Sequence, residues 1–300
     1  MKPGPILVVG DIAVDVVAVL AGPLTAASDT AARIRYTGGG AGANVAAWLA
    51  ALGVPVLLAG RVGRDAAGRQ ALDELSAAGV EFAGATDPTE ATGTVIVLVD
   101  ADGERSMIPD RGANRALTPA DLPAGLVRRA GHLHLSGYPL LDDRSSPAAL
   151  AALDLGRRHG LTISVDPASV APLVEFGPDR FLAATAGADL LLPNESEARL
   201  LGGSGDPTEA AVTLARSYGA VVVSCGAAGA VWAEGHSTGH VPAAAARVVD
   251  TTGAGDAFTA GLLARWRTDV PLAECVAAAV RTATRAVTRL GARPAPREEP

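Results

Sequence analysis

The chain has 300 residues, 49% of them apolar and only 3% aromatic, and a net charge of −7. That length makes one large domain, alone or with a small appendage, and so apolar a chain is not disordered. The acidic balance, with no basic run and no interleaving of aromatic and basic residues, excludes a broad nucleic-acid surface. An anionic ligand must therefore be held by local groups, not by the overall field. Two cysteines, Cys225 and Cys275, make neither a disulfide framework nor a zinc site, and Cys225 reads as a small core residue. The N-terminus lacks the long apolar region of a signal peptide, and no run is long and apolar enough to span a bilayer, so a cytoplasmic protein without membrane contact is expected.

Short Val, Ile and Leu runs alternate with Ala-rich helical stretches. Buried strands are expected at 6–9, 56–59, 132–135, 162–165, 190–192 and 221–224. Helices are expected at 43–52, 66–78, 147–159, 195–201, 207–218 and from Phe258 to Trp266. This alternation predicts an α/β fold: a doubly wound, mostly parallel sheet with helices on both faces. A core of Ala, Val and Leu suits such a covered sheet. Two regions break the pattern. Residues 15–37 have no helical period, and 92–112 read as two strands joined by a turn at Asp100 to Gly103. Both can form a small β appendage, whose apolar face must pack on ligand or on a second subunit. The last nine residues, 292–300, read as a frayed tail.

The strongest motif is Asp250-Thr-Thr-Gly-Ala-Gly-Asp256, which opens an apolar helix. Small residues at Gly253, Ala254 and Gly255 let backbone N–H groups approach an anion, and the helix start adds its unpaired N–H groups and positive dipole end. A carboxylate at Asp256 would repel a bound phosphate. It belongs there if it takes a proton from a hydroxyl that attacks the phosphorus. Earlier, Gly38 to Gly42 permit positive φ and close backbone approach before a helix. Asn44 there either caps that helix or donates to a ligand hydroxyl. Neither a Walker loop nor a GxGxxG dinucleotide fingerprint is present, which argues against a dinucleotide-dependent oxidoreductase. Asp11 and Asp15 follow the first strand, where open α/β sheets bind ligands. Asp15 is either a polyol acceptor or a turn acid. Arg111 can meet a carboxylate in bidentate fashion or pair with Asp110. Tyr138 can stack on a nucleobase or pack in its loop. His132 and His134 share one strand face and read as structural.

With Gly39-Gly40 early, Asn194-Glu-Ser-Glu197 in the middle and the motif ending at Asp256 late, the chain resembles the ribokinase (PfkB-type) carbohydrate kinases over nearly its whole length. The resemblance implies a ribokinase-like main domain (1–14, 38–91 and 113–300) and a β lid (15–37 and 92–112) that closes over the sugar and pairs two subunits into a homodimer. It implies an ATP-dependent kinase acting on a hydroxymethyl group of a sugar, sugar acid or nucleoside. Asp256 would be the base, and the amides of Gly253, Ala254 and Gly255 the anion hole. Asp15, Gly39, Gly40 and Asn44 would bind the acceptor, joined by Arg111 and Tyr138. Asn194 and Glu197, three apart on one helix face, would organise Mg²⁺. Ser224, Gly226 and Gly229 would sit by the nucleotide, and Asp250 and Thr252 would hold K⁺. The chain departs from ribokinases proper at Ala13, Ala41 and Ser136, which replace Asn, Lys and Glu; the loss of three sugar-facing polar groups speaks against ribose. The competing class is a non-catalytic sugar- or nucleotide-binding member of the same fold, for which Asp256 would have no use.

Overall fold

The computed structural model describes residues 4–100, 105–266 and 270–295. The strands are β1 (Ile6–Val9), β2 (Ala13–Leu20), β3 (Ala32–Gly39), β4 (Val56–Ala59), β5 (Arg61–Gly63), β6 (Glu81–Phe82), β7 (Ala85–Asp87), β8 (Gly93–Val99), β9 (Arg105–Asp110), β10 (His132–Ser136), β11 (Thr162–Asp166), β12 (Leu190–Leu191), β13 (Ala220–Ser224), β14 (Ala230–Glu234) and β15 (Ser237–Val241). Among the described residues, nine form one sheet in the order β15-β14-β13-β12-β11-β10-β1-β4-β6. It is parallel from β6 to β13 and antiparallel beyond.

The doubly wound architecture follows from strand alternation. Leu7 and Val9 of β1 enter one core with Leu133, Leu153 and Phe181. Ile6 and Val8 point the other way, into a second core with Trp48, Phe258 and Val276. Side chains alternate across a strand, so a strand apolar at every position needs helices on both faces. The helices Ala41–Ala51, Ala254–Trp266 and Leu272–Ala286 cover one face, and Ser146–Arg158 with the helices that follow it covers the other. The predicted strands and helices of this body recur to within a few residues. The antiparallel edge β14–β15 and the helix Leu272–Ala286 were not anticipated.

A second sheet of four strands, β3-β2-β8-β9, stands beside the first. It takes in Ala13, Val14, Gly38 and Gly39 as well as the irregular regions. Its register gives it two distinct faces. Val16 pairs with Tyr36 and Ile96, and Ile96 with Ile108, making an apolar row on the outer face. Asp15, Val95, Val97, Met107 and Pro109 turn toward a cleft against the main sheet. The turn expected to join β8 to β9 falls at 101–103, outside the described residues. The tail differs from expectation at its start: Ala292 and Arg293 are packed in, because the buried Trp48 indole donates to the Ala292 carbonyl at 2.9 Å. Residues 296–300 of that tail lie outside the described part.

Candidate active site

The carboxyl ends of β1, β10 and β11 bring Asp11, Ser136 and Asp166 to one edge of the main sheet. The second sheet roofs that edge, leaving a cleft of about 550 Å³. Asp11, Asp15, Asn44, Asp166, Glu197 and Asp256 all reach it. With Asp110, six acids line the cleft, and they repel one another unless a cation or a proton intervenes.

Asp256 lies in the first turn of the helix Ala254–Trp266. Its Oδ2 accepts the Asn44 amide N–H at 2.8 Å, across 212 residues of sequence. Burial, together with Asp166, Asp11 and Asp15, pushes the Asp256 carboxyl up to about 8 against the pull of that hydrogen bond. Asn44 does not cap its helix: Gly40 is the N-cap, and Asn44 sits inside, its side chain committed to Asp256. Behind it stands a residue that the sequence hid in the tail. Arg293 Nε donates to Asn44 Oδ1 at 3.2 Å and its Nη2 to the Gly39 carbonyl at 2.9 Å. Its charge also pulls on the Asp15 carboxyl, which burial and Asp11 nevertheless push up to about 6.

The anion nest is asymmetric. Gly253 has φ +72°, and a Cβ there would come within 2.6 Å of Ala292. The Ala254 N–H is already given to the Thr251 carbonyl at 3.2 Å. Among the described residues the N–H groups of Gly253 and Gly255 meet no protein acceptor, and both residues line the cleft beside Asp256. Of the three amides, those of Gly253 and Gly255 are therefore the ones open to an anion, and that of Ala254 is not.

Asp15 faces Asp256 from the second sheet, on β2. Gly39 is beside it on β3, where any Cβ would fall on the Asp15 carboxylate. Gly40 has φ +87°, and a Cβ there would come within 2.6 Å of the Asp11 carbonyl. These two glycines act by leaving room, and Gly39 itself does not line the cleft. Ala13 and Ala41 do line it, so the two lost polar groups do face the cavity. Ser136 instead donates to Asp11 at 3.4 Å. The Arg111 guanidinium stacks on the Tyr138 ring at 4.3 Å, which favours neither a surface pair with Asp110 nor a ring left open on both sides for a nucleobase. Asn114 was missed by sequence reasoning. It accepts the Ile12 N–H at 2.9 Å and donates to the Ile12 carbonyl at 2.8 Å, fixing the crossing from the main sheet to β2.

The chain as a whole has counterparts among known proteins. The family model described as pfkB family carbohydrate kinase matches residues 5–299. The chain belongs to the pfkB family of carbohydrate kinases. It is 35% identical to an ATP-dependent ribose-1-phosphate kinase of Halopiger xanaduensis, covering 87% of this chain and 84% of that one. It is 34% identical to a fructokinase of Klebsiella pneumoniae over the same shares, 87% and 84%. The crystal structure of an adenosine kinase from Sinorhizobium meliloti superposes with a TM-score of 0.89 at 26% identity, covering 98% of this chain and 96% of that one. The protein is thus a phosphotransferase of the sugar and nucleoside kinase class. Among the described residues no helix is long and apolar enough to cross a membrane.

For a pfkB kinase the remaining residues fall into two groups. Asn194 is not on the helix face but is its N-cap. It accepts the Glu197 N–H at 3.0 Å, while the Glu197 carboxylate accepts the Asn194 N–H at 2.9 Å, a reciprocal capping box. Glu197 is nonetheless buried, and its carboxyl is raised by burial and by the neighbouring charge of Asp166, itself raised by burial. Two buried carboxylates that oppose each other's ionisation suit a divalent cation, with oxygens to offer and charge to be neutralised. Among the described residues no group of three or more His, Cys, Asp or Glu side chains is placed to hold a metal ion. Ser224 and Gly226 border a depression beside Asn194 and Glu197. Gly229 does not join it: its φ of +94° closes a turn in which its carbonyl accepts the Cys225 N–H at 2.8 Å.

Asp250 and Thr252 are the residues that the resemblance assigns to a monovalent cation. They do not fit one. Asp250 Oδ1 accepts the Thr252 N–H at 2.8 Å and Oδ2 the Gly291 N–H at 3.0 Å. The Arg105 guanidinium, from the start of β9, already sits on Oδ1 at 2.8 Å. The Val287 carbonyl, beside this loop, accepts two N–H groups, from Val249 at 2.7 Å and Asp250 at 3.2 Å. Two unit positive charges about 4 Å apart repel by ~4 kcal/mol at an effective dielectric of about 20. A guanidinium already paired with this carboxylate disfavours a second cation on the same oxygen.

Proposed function

We propose that this kinase transfers the γ-phosphoryl group of ATP to a hydroxymethyl group of a sugar-like acceptor, with Asp256 as general base and the amides of Gly253 and Gly255 as the core of the anion hole. The observation that carries the reading is the buried Asp256 carboxyl beside two uncommitted N–H groups. A carboxyl titrating near 8 exchanges its proton close to neutral pH, as a base for a hydroxyl must. Asp15 orients the acceptor by accepting its hydroxyls, and Asn44 keeps the Asp256 oxygen aimed. Donors fixed before the reaction begins stabilise the charge that develops on the phosphoryl oxygens without reorganising. Glu197 and Asp166 are the residues that would hold Mg²⁺, which when bound neutralises phosphate charge. The second sheet acts as a lid that excludes water, the competing acceptor. Its outer row of Tyr36, Val16, Ile96 and Ile108 is the face for pairing two copies of the chain.

Arg111 narrows the acceptor. Arg61 and Arg115, which border the small recess behind it, are each ion-paired. Among the described residues no carboxylate pairs with Arg111, whose guanidinium edge stays free while its face rests on Tyr138. A planar cation held this way suits a carboxylate or phosphate group on the acceptor, in keeping with the name of the Halopiger relative. The test is acceptor-dependent ADP release from Mg·ATP over matched pairs: a pentose and its 1-phosphate, a hexose and its keto-deoxy acid, and nucleosides. The anionic member of a pair should be preferred, and the preference should vanish in Arg111→Gln. Preference for neutral sugars, unchanged in that variant, would refute the anionic acceptor. No acceptor-dependent release across the panel would refute the kinase reading of the site.

A further inference from the structure

Asp250 and Thr251 directly precede the anion nest, and Asp250 anchors that loop to Gly291 beyond the last helix. The second sheet meets them at one point. Arg105, Met107 and Pro109 alternate along one face of β9; Met107 and Pro109 line the cleft, and Arg105 reaches across from the hairpin's far end. Its Nη2 lies 2.8 Å from Asp250 Oδ1 and its Nη1 donates to Thr251 Oγ1 at 2.9 Å. Both partners belong to the main body, 145 or more residues away in sequence, the Thr251 contact spanning 146. The guanidinium thus does two things at once. It neutralises the carboxylate that shapes the phosphate loop, and it ties that loop to the sheet that roofs the cleft.

We propose that Arg105 is a built-in replacement for the monovalent cation of this site. The anion nest is then set by a side chain delivered when the lid closes, and the enzyme works without K⁺. This rests on the kinase reading above. Arg105 is a positioning residue: its guanidinium is committed to Asp250 and Thr251, and it acts through Asp250 and the backbone from Thr252 to Gly253. A dissolved ion would be present whether the lid were open or closed. A lid-borne cation completes the nest only in the closed state, so an open enzyme is a poor ATPase.

The experiment compares wild type, Arg105→Met and Arg105→Lys in buffers of equal ionic strength containing KCl, NaCl or choline chloride. Wild-type kcat is expected to vary by less than about twofold among the salts, well inside the tenfold that about 1.4 kcal/mol produces. Arg105→Met in choline should lose at least about tenfold in kcat and recover part of it in KCl, because the vacated carboxylate can then take the ion. Arg105→Lys should lie between. A second readout does not need activity: KCl should raise the thermal midpoint of Arg105→Met over its value in choline and leave wild type unchanged. A wild type that needs K⁺, or a wild-type midpoint that rises specifically with K⁺, would overturn the proposal. So would an Arg105→Met enzyme as active as wild type in choline. If wild type shows no acceptor-dependent turnover in any salt, the kinase reading fails by itself and the melting comparison still decides the cation.

Discussion

The two sheets of this molecule are built on opposite terms. Strands β1 and β13 of the main sheet lie between two apolar cores and expose almost nothing; β10 is equally buried, with His132 and His134 hydrogen-bonded to Ser164 on its second face. The second sheet is thin: one face opens on the cleft, and on the other Tyr36 is 69% and Ile108 54% exposed. The first sheet is a finished object. The second leaves an apolar row uncovered that main body, ligand or another copy could bury. The chemistry is divided in the same way. Asp256, the nest and the Asp166–Glu197 pair stand on elements of the main body, while Asp15, Arg105, Met107 and Pro109 come from the second sheet.

If that division is right, the largest effect comes from the main body. Asp256→Asn should lower kcat by ~10²–10⁴, the usual cost of losing a general base, while ATP binding measured by calorimetry is retained. Near-normal turnover would put the base elsewhere. A packing pair tests the division directly. Leu133→Ala, in a fully buried strand, should cost about 2–5 kcal/mol in urea unfolding. Ile108→Ala on the outer row should stay within about 0.5 kcal/mol if that face is free. A large loss at Ile108 would mean that a second copy covers it.

Arg293 joins the two sides, because it holds Asn44 on the main body and the Gly39 carbonyl on β3. A hydrogen bond to a charged group contributes about 1.5–3 kcal/mol. Arg293→Met should therefore lower kcat by about 10–100-fold with KM for ATP little changed. The acidic limb of the pH–rate profile should also move upward, since the positive charge behind Asp15 and Asp256 is gone. A stability loss with kcat intact would make Arg293 a mere staple.

The main sheet was legible because fully buried strands are written as unbroken aliphatic runs, as in Ile-Leu-Val-Val at 6–9. The edge hairpin β14–β15 was not, since its outer strand, Ser-Thr-Gly-His-Val, is polar and largely exposed. The motifs announced Asp256, Gly253, Asn194 and Glu197, whose chemistry is local. What escaped notice were partners made by distance. Arg293 lay in a stretch whose Pro and charged residues read as a tail, and nothing near it signals Asn44, 249 residues away. Arg105 follows a turn and looks like any hairpin charge. Asn44 read as either a helix cap or a donor to a ligand hydroxyl; only the fold brings Asp256 to it.

The last prediction concerns stability and asks whether the roof is what buries the acids. The folded Asp256 carboxyl titrates near 8, against an ordinary value of 3.8, and burial is the largest cause. Its proton is thus held more tightly in the folded state than in the unfolded one. The stabilisation from that proton is complete below about 4 and is lost as pH rises toward 8. Asp11, Asp15 and Asp166 face the same group and add to the shift, whereas the Asn44 amide opposes it. Asp256→Asn has no proton to lose. Its thermal midpoint should match wild type near pH 4 and exceed it by an increasing margin up to pH 8, on the scale of about 2–4 °C for each kcal/mol. Repeating the titration in Arg105→Met separates the two sheets. If closure of the second sheet supplies the desolvation, the margin shrinks once its tie to Asp250 is cut. A margin that stays the same would mean that the main body buries Asp256 unaided.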